Sequence, residues 1–341
     1  MISFRLRSID LFRVHAVAIA VLLTLPIGCE ADSGGVISVG NDPNRPIRVV
    51  ATVGMVADIV REVGGERVNV TQLMGPGVDP HLYKGTRDDV RSILASDMVF
   101  YGGLMLEGKL IDMLEKVSNK KPVIAATKGL SPQSILSEDD SGAHADPHVW
   151  MDVSLWAKCV DVVADALADY DPEHASIYRV AATEYQAKLA ELHQYGKQVI
   201  QTVPPEGRVL ITSHDAFAYF GRAYGLDVFG VQGLSTDSEA GLRQINSLVD
   251  TIVKRKVAAV FVESSVPRKS ILAVVDGAAS RGHGVVIGGE LYSDAMGAGG
   301  TYEGTYVGML EHNLTIVARA LGGVAPERGM QGLLREPIGY P

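Results

Sequence analysis

The stretch "PEHASIYRVAATEYQAKLAELHQYGKQVIQTV", residues 172 to 203, decides how the rest of the chain is arranged. It runs from Pro172 to the prolines at 204 and 205 with one glycine, Gly196. Tyr178, Tyr185, Leu192 and Val199 recur every seven residues, with Ala182 and Leu189 offset by four. An apolar stripe of that period without internal proline predicts one long helix; a helical hairpin broken at Gly196 is the alternative. At 1.5 Å per residue, 30 residues reach roughly 45 Å, enough to run the length of a two-lobed molecule. A stiff connector of this kind limits how far two lobes can move apart.

On both sides of the helix, short β-branched runs alternate with amphipathic stretches, the pattern of βα units around a mainly parallel sheet. Before it, strands are predicted at 47–53, 67–74, 97–103 and 121–127, with helices starting near Thr86 and Glu107. After it, strands are predicted at 208–213, 226–232, 257–264 and 283–289, with helices near 215–224, 238–255, 268–281 and 302–321. The fold class is therefore α/β: two α/β lobes with mainly parallel sheets, joined by a long rigid helix and enclosing a cleft. The expected boundaries are 47–171 for the N-terminal lobe, 172–203 for the connector, 204–322 for the C-terminal lobe and 323–341 for a tail.

The first 46 residues stand outside this scheme. Arg5, Arg7 and Arg13 precede the apolar run from Ala16 to Gly28, too short to span a bilayer, so 1–28 reads as a secretory signal peptide. It ends at Gly28-Cys29, which resembles a bacterial lipoprotein processing site with Cys29 as the lipidated residue; a plain cleaved signal is the alternative. Residues 29–46 are rich in Gly, Ser, Asp, Asn and Pro and read as a tether. The expected location is extracytoplasmic in a bacterium, lipid-anchored to the membrane or periplasmic.

Loss of the leader removes three Arg and one Asp and takes the formal charge from −9 to −11. No basic run can track a phosphate backbone, which argues against nucleic acid as a partner. With Cys29 lipidated, Cys159 is the only thiol left and no disulfide can form within the mature chain.

The chain has 9 His, and two of them fall in "HADPHVWMD", residues 144 to 152, whose Asp-Pro-His unit recurs in "DPHLY" at 79 to 83. In parallel α/β sheets, ligand groups gather where strands end and loops begin. His81 follows the second strand, His148 lies in a polar loop before the connector, His214 follows "RVLITS" and Asp294 follows "HGVVIGGELYS". Three imidazoles and a carboxylate drawn from both lobes form a ligand set for Zn²⁺ that also accepts Mn²⁺ or Fe²⁺. Their wide spacing argues against a zinc finger.

The stretches "DPHLYKGTRDDV", "ADPHVWMDV", "ITSHDAFAYFGRAYGL", "VFVESSVP" and "LYSDAMGAGGTYEGTYVGMLEHNL" resemble the TroA-like solute-binding lipoproteins that feed zinc and manganese ABC importers. The resemblance implies one metal held between the lobes by His81, His148, His214 and Asp294, with no reaction catalysed. It also implies an ABC permease and its ATPase as partners, a divalent cation as ligand, membrane attachment through a lipid anchor, and a monomer. Manganese- and iron-type members carry Glu at the third ligand position, whereas His214 matches the zinc type. Against exclusive zinc preference, the long His-rich loop of zinc-type members is reduced here to His144.

The remaining polar residues read two ways. Asp79 and Asp146 could orient the histidines or only make turns; Glu263 could support the site or make a structural hydrogen bond. His144 could pass metal inward or be a solvated loop residue. Trp150 and Tyr83 could shield the site or be core. His174, His193, His283 and His312 read as surface residues without partners. An exported zinc hydrolase is the rival function, opposed by the filled ligand set and the absence of HExxH; a surface adhesin is a third. With an ordinary imidazole pKa near 6.5, proton competition would weaken metal binding between about pH 6.5 and 5.

Overall fold

Strand β1 (Ile47–Ala51) organises the N-terminal lobe because Ile47, Val49, Val50 and Ala51 are all buried, filling both of its faces. It pairs in parallel with β2 (Val68–Gln72) on one side and β3 (Met98–Tyr101) on the other. With β4 (Val123–Ala125) the sheet runs in the order β2-β1-β3-β4. This structure, a computed structural model, describes residues 45–137 and 144–335. The leader, Cys29, all but the last two residues of the tether, and residues 336–341 of the tail lie outside the described residues.

Parallel neighbours need long crossovers, and helices α1 (Gly54–Gly64), α2 (Arg87–Ala95) and α3 (Ile111–Ser118) supply them. Helix α2 begins where the sequence places it: Thr86 accepts the Asp89 amide and Asp89 accepts the Thr86 amide, a capping box. The helix expected near Glu107 starts only at Ile111. The Glu107 carboxylate is turned inward, accepting the Thr52 hydroxyl at 2.5 Å and the Gly102 amide at 2.7 Å, and a 3₁₀ turn precedes the helix proper.

Helix α4 (Val153–Tyr170) was not read from the sequence. It is capped by Asp152, whose Oδ1 accepts the Ser154 and Leu155 amides, and it packs along α5 (Ala175–Gln201). Helix α5 is continuous for 27 residues, about 40 Å, and buries the expected stripe of Tyr178, Ala182, Tyr185, Leu189, Leu192 and Val199. Gly196 does not break it. A Cβ there would lie 2.7 Å from the Tyr224 ring and 2.8 Å from Leu314, so glycine permits a close approach that any side chain would prevent.

In the C-terminal lobe, β5 (Val209–His214) pairs in parallel with β6 (Asp227–Gln232). Strand β7 (Ala259–Glu263) pairs in parallel with β8 (Val286–Leu291), and β5 lies beside β7. Helices α6 (Ala218–Tyr224), α7 (Leu242–Arg255), α8 (Lys269–Ser280) and α9 (Tyr306–Ala320) complete it. All eight expected strands are present within a few residues. Beyond α9 the chain folds back on itself: buried Glu311 accepts the Gln331 amide at 3.3 Å and buried Glu303 accepts the Arg335 amide at 2.9 Å.

The four histidines read as unpartnered surface residues all have partners. His174 meets Asp171, His193 meets the Tyr224 hydroxyl, His283 meets the Val257 carbonyl and His312 meets the Glu290 carbonyl. These histidines, two of them inside α5 and α9, meet nearby backbone and side-chain groups that periodicity does not reveal.

One buried carboxylate ties three helices. Asp58 Oδ1, on α1, accepts the Tyr185 hydroxyl of α5 at 2.8 Å and the Tyr306 amide at the start of α9 at 3.1 Å. Burial raises its pKa from 3.8 to about 6, more than these hydrogen bonds lower it. The native protein therefore binds this proton more tightly than the unfolded chain does. Stability from this group is lost as pH rises from about 4 to 6, by up to about 3 kcal/mol. Asp58→Asn keeps the acceptor oxygen and removes the charge. In denaturant titrations it should be more stable than wild type by up to about that amount at pH 7 and equal to it near pH 4; a variant less stable at pH 7 would contradict this.

Candidate metal centre

Both Asp-Pro-His units fold into the same local turn. Asp79 Oδ1 accepts the His81 amide at 2.8 Å, and Asp146 Oδ1 accepts the His148 amide at 2.9 Å. An aspartate bonding the backbone two residues on is the device that makes Asx turns, and each one presents the histidine that follows. Asp146 does more, because the same oxygen lies 2.7 Å from His148 Nδ1. Asp79 serves the backbone turn and makes no hydrogen bond to the His81 ring.

His214 is the last residue of β5, and Glu263 ends the adjacent β7. One Glu263 oxygen accepts the His214 amide at 2.9 Å and the other lies 2.6 Å from His214 Nδ1. Gly230 on β6 packs against this point: a Cβ there would lie 2.5 Å from the Asp215 amide nitrogen. Asp294 follows β8. Its neighbour Ser293 receives the Trp150 indole N–H on its carbonyl at 2.9 Å, and the Trp150 ring stands edge-on to His148 at 5.3 Å. Trp150 thus joins the two lobes beside the site, a role its aromatic character did not distinguish from core. Tyr83 instead donates to Asp89.

The four side chains converge. His81 is 7% exposed, Asp294 2%, and His148 and His214 0%. One donor atom from each lies within 4.8 Å of all the others. His81 Nε2 and His148 Nε2 are 3.2 Å apart, His148 Nε2 and Asp294 Oδ1 3.4 Å, and His214 Nε2 and Asp294 Oδ2 3.3 Å. Donors at the corners of a tetrahedron with bonds of about 2.0–2.2 Å are about 3.3–3.6 Å apart. Calcium, with six to eight oxygens at about 2.3–2.6 Å, does not suit this nitrogen-rich set.

His214 Nε2 and Asp294 Oδ1 are fully buried without a hydrogen-bond partner, a costly state for polar groups unless a ligand satisfies them. With Nδ1 of His148 and His214 each turned to a carboxylate, Nε2 of each ring faces the centre and would offer its lone pair once it has lost its proton. This is the arrangement that orients metal-binding imidazoles.

Charge in the site is strongly coupled. For His148, burial lowers the pKa, but Asp146 and Asp294 outweigh it and bring it to about 9. His214 is likewise held well above its ordinary value, burial being outweighed by Glu263 and Asp294. Burial would raise Asp294, yet the neighbouring His214 and His148 hold it well below the usual carboxylate range. His81 moves the other way: burial and the two facing imidazoles lower it.

A cavity of about 1000 Å³ opens at His81, and its walls include Met105, His144, Asp215 and residues 228–235. His144 therefore stands on the approach to the site rather than within the four-residue cluster. Two contacts that cross the cleft, Thr236 with Asp79 and Lys109 with Asp237, had no signal in the sequence.

A model of the ZnuA family, described as zinc-uptake complex component A, periplasmic, matches residues 49–320. The manganese-binding lipoprotein MntA of Bacillus subtilis is 46% identical over 294 residues, covering 86% of this chain and 94% of that one. The zinc-binding protein TroA of Treponema pallidum is 44% identical over 273 residues, covering 80% and 88%. A solved structure of the periplasmic zinc-binding protein TroA from Treponema pallidum superposes with a TM-score of 0.79 at 43% identity, covering 81% of this chain and 99% of that one. The fold, the cluster in the cleft and these matches lead to one conclusion: the chain belongs to the TroA/ZnuA family of periplasmic solute-binding components of ABC metal-uptake systems.

Proposed function

We propose that this protein captures Zn²⁺, with Mn²⁺ as a second cargo, through His81, His148, His214 and Asp294, and hands it to an ABC permease driven by its ATPase. The observation that carries this reading is the buried convergence of three imidazoles and one carboxylate from both lobes, with one donor atom of each within 4.8 Å of the others and three pairs at 3.2–3.4 Å. Three nitrogen donors favour Zn²⁺ over the harder Mn²⁺. The manganese reading has its own support: both Asp294 oxygens face imidazole nitrogens, so the carboxylate can offer two donors to an ion that takes more ligands. The names of the two relatives divide the same way.

The family consists of solute-binding components rather than enzymes, which sets the hydrolase reading aside. The adhesin reading has no support in these matches. For the residues outside the described structure, the reading is a signal peptide at 1–28, a lipid on Cys29 and a tether to residue 46; the lipoprotein name of the Bacillus subtilis relative supports it. On this reading the protein works as an anchored monomer.

The direct test is metal titration by chelator competition. Wild type should bind one Zn²⁺ per chain, and His214→Glu, which exchanges a nitrogen for a hard oxygen, should shift the Zn²⁺-to-Mn²⁺ affinity ratio towards manganese by about tenfold or more. An unchanged ratio would remove His214 from the ligand set.

Proton exchange supplies a second test, and it revises the window read from the sequence. His148 and His214 hold protons at neutral pH, and each must lose its proton to bind metal. Uptake at pH 7 should release close to two protons per ion, and affinity should keep rising up to about pH 9. Unperturbed histidines would level off above their ordinary value of about 6.5. Calorimetry in buffers of different ionisation enthalpy measures the release; a value near zero at pH 7 would contradict the account.

A further inference from the structure

The loop between β6 and α7, residues 233–241, reads "GLSTDSEAG" and has a glycine at each end. It belongs to the C-terminal lobe, yet its middle bonds to the N-terminal lobe. The Thr236 hydroxyl donates to Asp79 Oδ2 at 2.5 Å, while the other oxygen of the same carboxylate accepts the His81 amide at 2.8 Å. One residue along, Asp237 meets Lys109 at 2.7 Å. The loop is braced internally, with Gln232 Nε2 donating to the Ser238 carbonyl at 2.9 Å and Ser235 to Asp237 at 3.2 Å.

We propose that Thr236 is a positioning residue for the metal site: it straps the loop across the cleft onto the Asp79–His81 turn and retards the metal's exit. The proposal rests on the reading of the four-residue site given above. His81 is the most exposed of the four, and the cavity that reaches it is walled by Gly233, Leu234, Ser235 and Ser238 from this same loop. An ion leaving through that cavity must part from His81, whose turn is fixed by Asp79. Thr236 holds Asp79 from the opposite lobe, so rupture of that hydrogen bond unties the turn from the loop and leaves the exposed Lys109–Asp237 pair to hold the loop across the cleft. The flanking Gly233 and Gly241 can absorb the backbone change, as hinge positions do.

The two crossings differ in weight. Thr236 and Asp79 are half-buried and the acceptor is a carboxylate, the stronger kind of hydrogen bond. Lys109 and Asp237 have side chains 34% and 54% exposed, and a pair in that setting contributes little and is screened by salt. The effect should therefore concentrate on Thr236.

The experiment follows release of Zn²⁺ from the loaded protein into excess EDTA by stopped flow. Thr236→Val, which keeps the shape and removes the hydroxyl, should speed release about tenfold or more. Thr236→Ser should stay near the wild-type rate, and Asp237→Asn should change it by less than about twofold. Circular dichroism and thermal unfolding of each variant accompany the rates. Equal rates for Thr236→Val and wild type, or Thr236→Ser as fast as Thr236→Val, would overturn the strap. Failure of wild type to take up zinc would instead overturn the reading of the site itself.

Discussion

The structure depends on keeping charged groups and imidazoles together in a buried place. Three imidazoles and Asp294 meet in the cleft, and two of the imidazoles are backed by further buried carboxylates, Asp146 and Glu263. Such a cluster is tolerable only if its charge is balanced whether or not cargo is present. The raised affinities of His148 and His214 for protons provide that balance. On the proposed reading, two protons would leave as one divalent ion arrives, and the buried charge would stay unchanged. The carboxylates behind the histidines turn Nε2 of each ring toward the centre of the cluster, where the proposed ion would bind.

The fold supplies positions rather than chemistry. His214, Glu263 and Asp294 sit at or just beyond the ends of parallel strands, where an α/β sheet naturally presents groups to a cleft. His81 and His148 come from repeated Asx turns instead. Helix α5 crosses between the lobes, Asp58 ties it to α1 and α9, and the Trp150 bond to Ser293 joins the lobes beside the four-residue cluster. With those links in place, large lobe rotation is a poor route for release, and a local movement at the His81 side of the cleft is the more economical one.

Much of this was legible in the sequence where one dominant pattern existed. The seven-residue stripe of Tyr178, Tyr185, Leu192 and Val199 made α5 readable, and Gly196, which left the broken hairpin open as an alternative, is there because a Cβ would collide with Tyr224 and Leu314. The ligand candidates could be named because His81, His214 and Asp294 followed strand patterns and His148 stood in the repeat of the Asp-Pro-His unit. Helix α4 was not, since ten of its 18 residues are buried and its apolar positions spread over most of its surface, blurring the period. The dual role of Asp146, the pairing of Glu263 with His214 and the reach of Thr236 to Asp79 depend on three-dimensional neighbours, for which one sequence carries no signal. The raised histidine pKa values were hidden for the same reason.

The central claim is that one ion is bound by imidazoles of both lobes together with Asp294. X-ray absorption at the zinc edge of the loaded protein tests it most directly. The account predicts three imidazole nitrogens and carboxylate oxygen at about 2.0–2.2 Å, with no sulfur. A shell with fewer than three imidazoles, or one dominated by water, would contradict it.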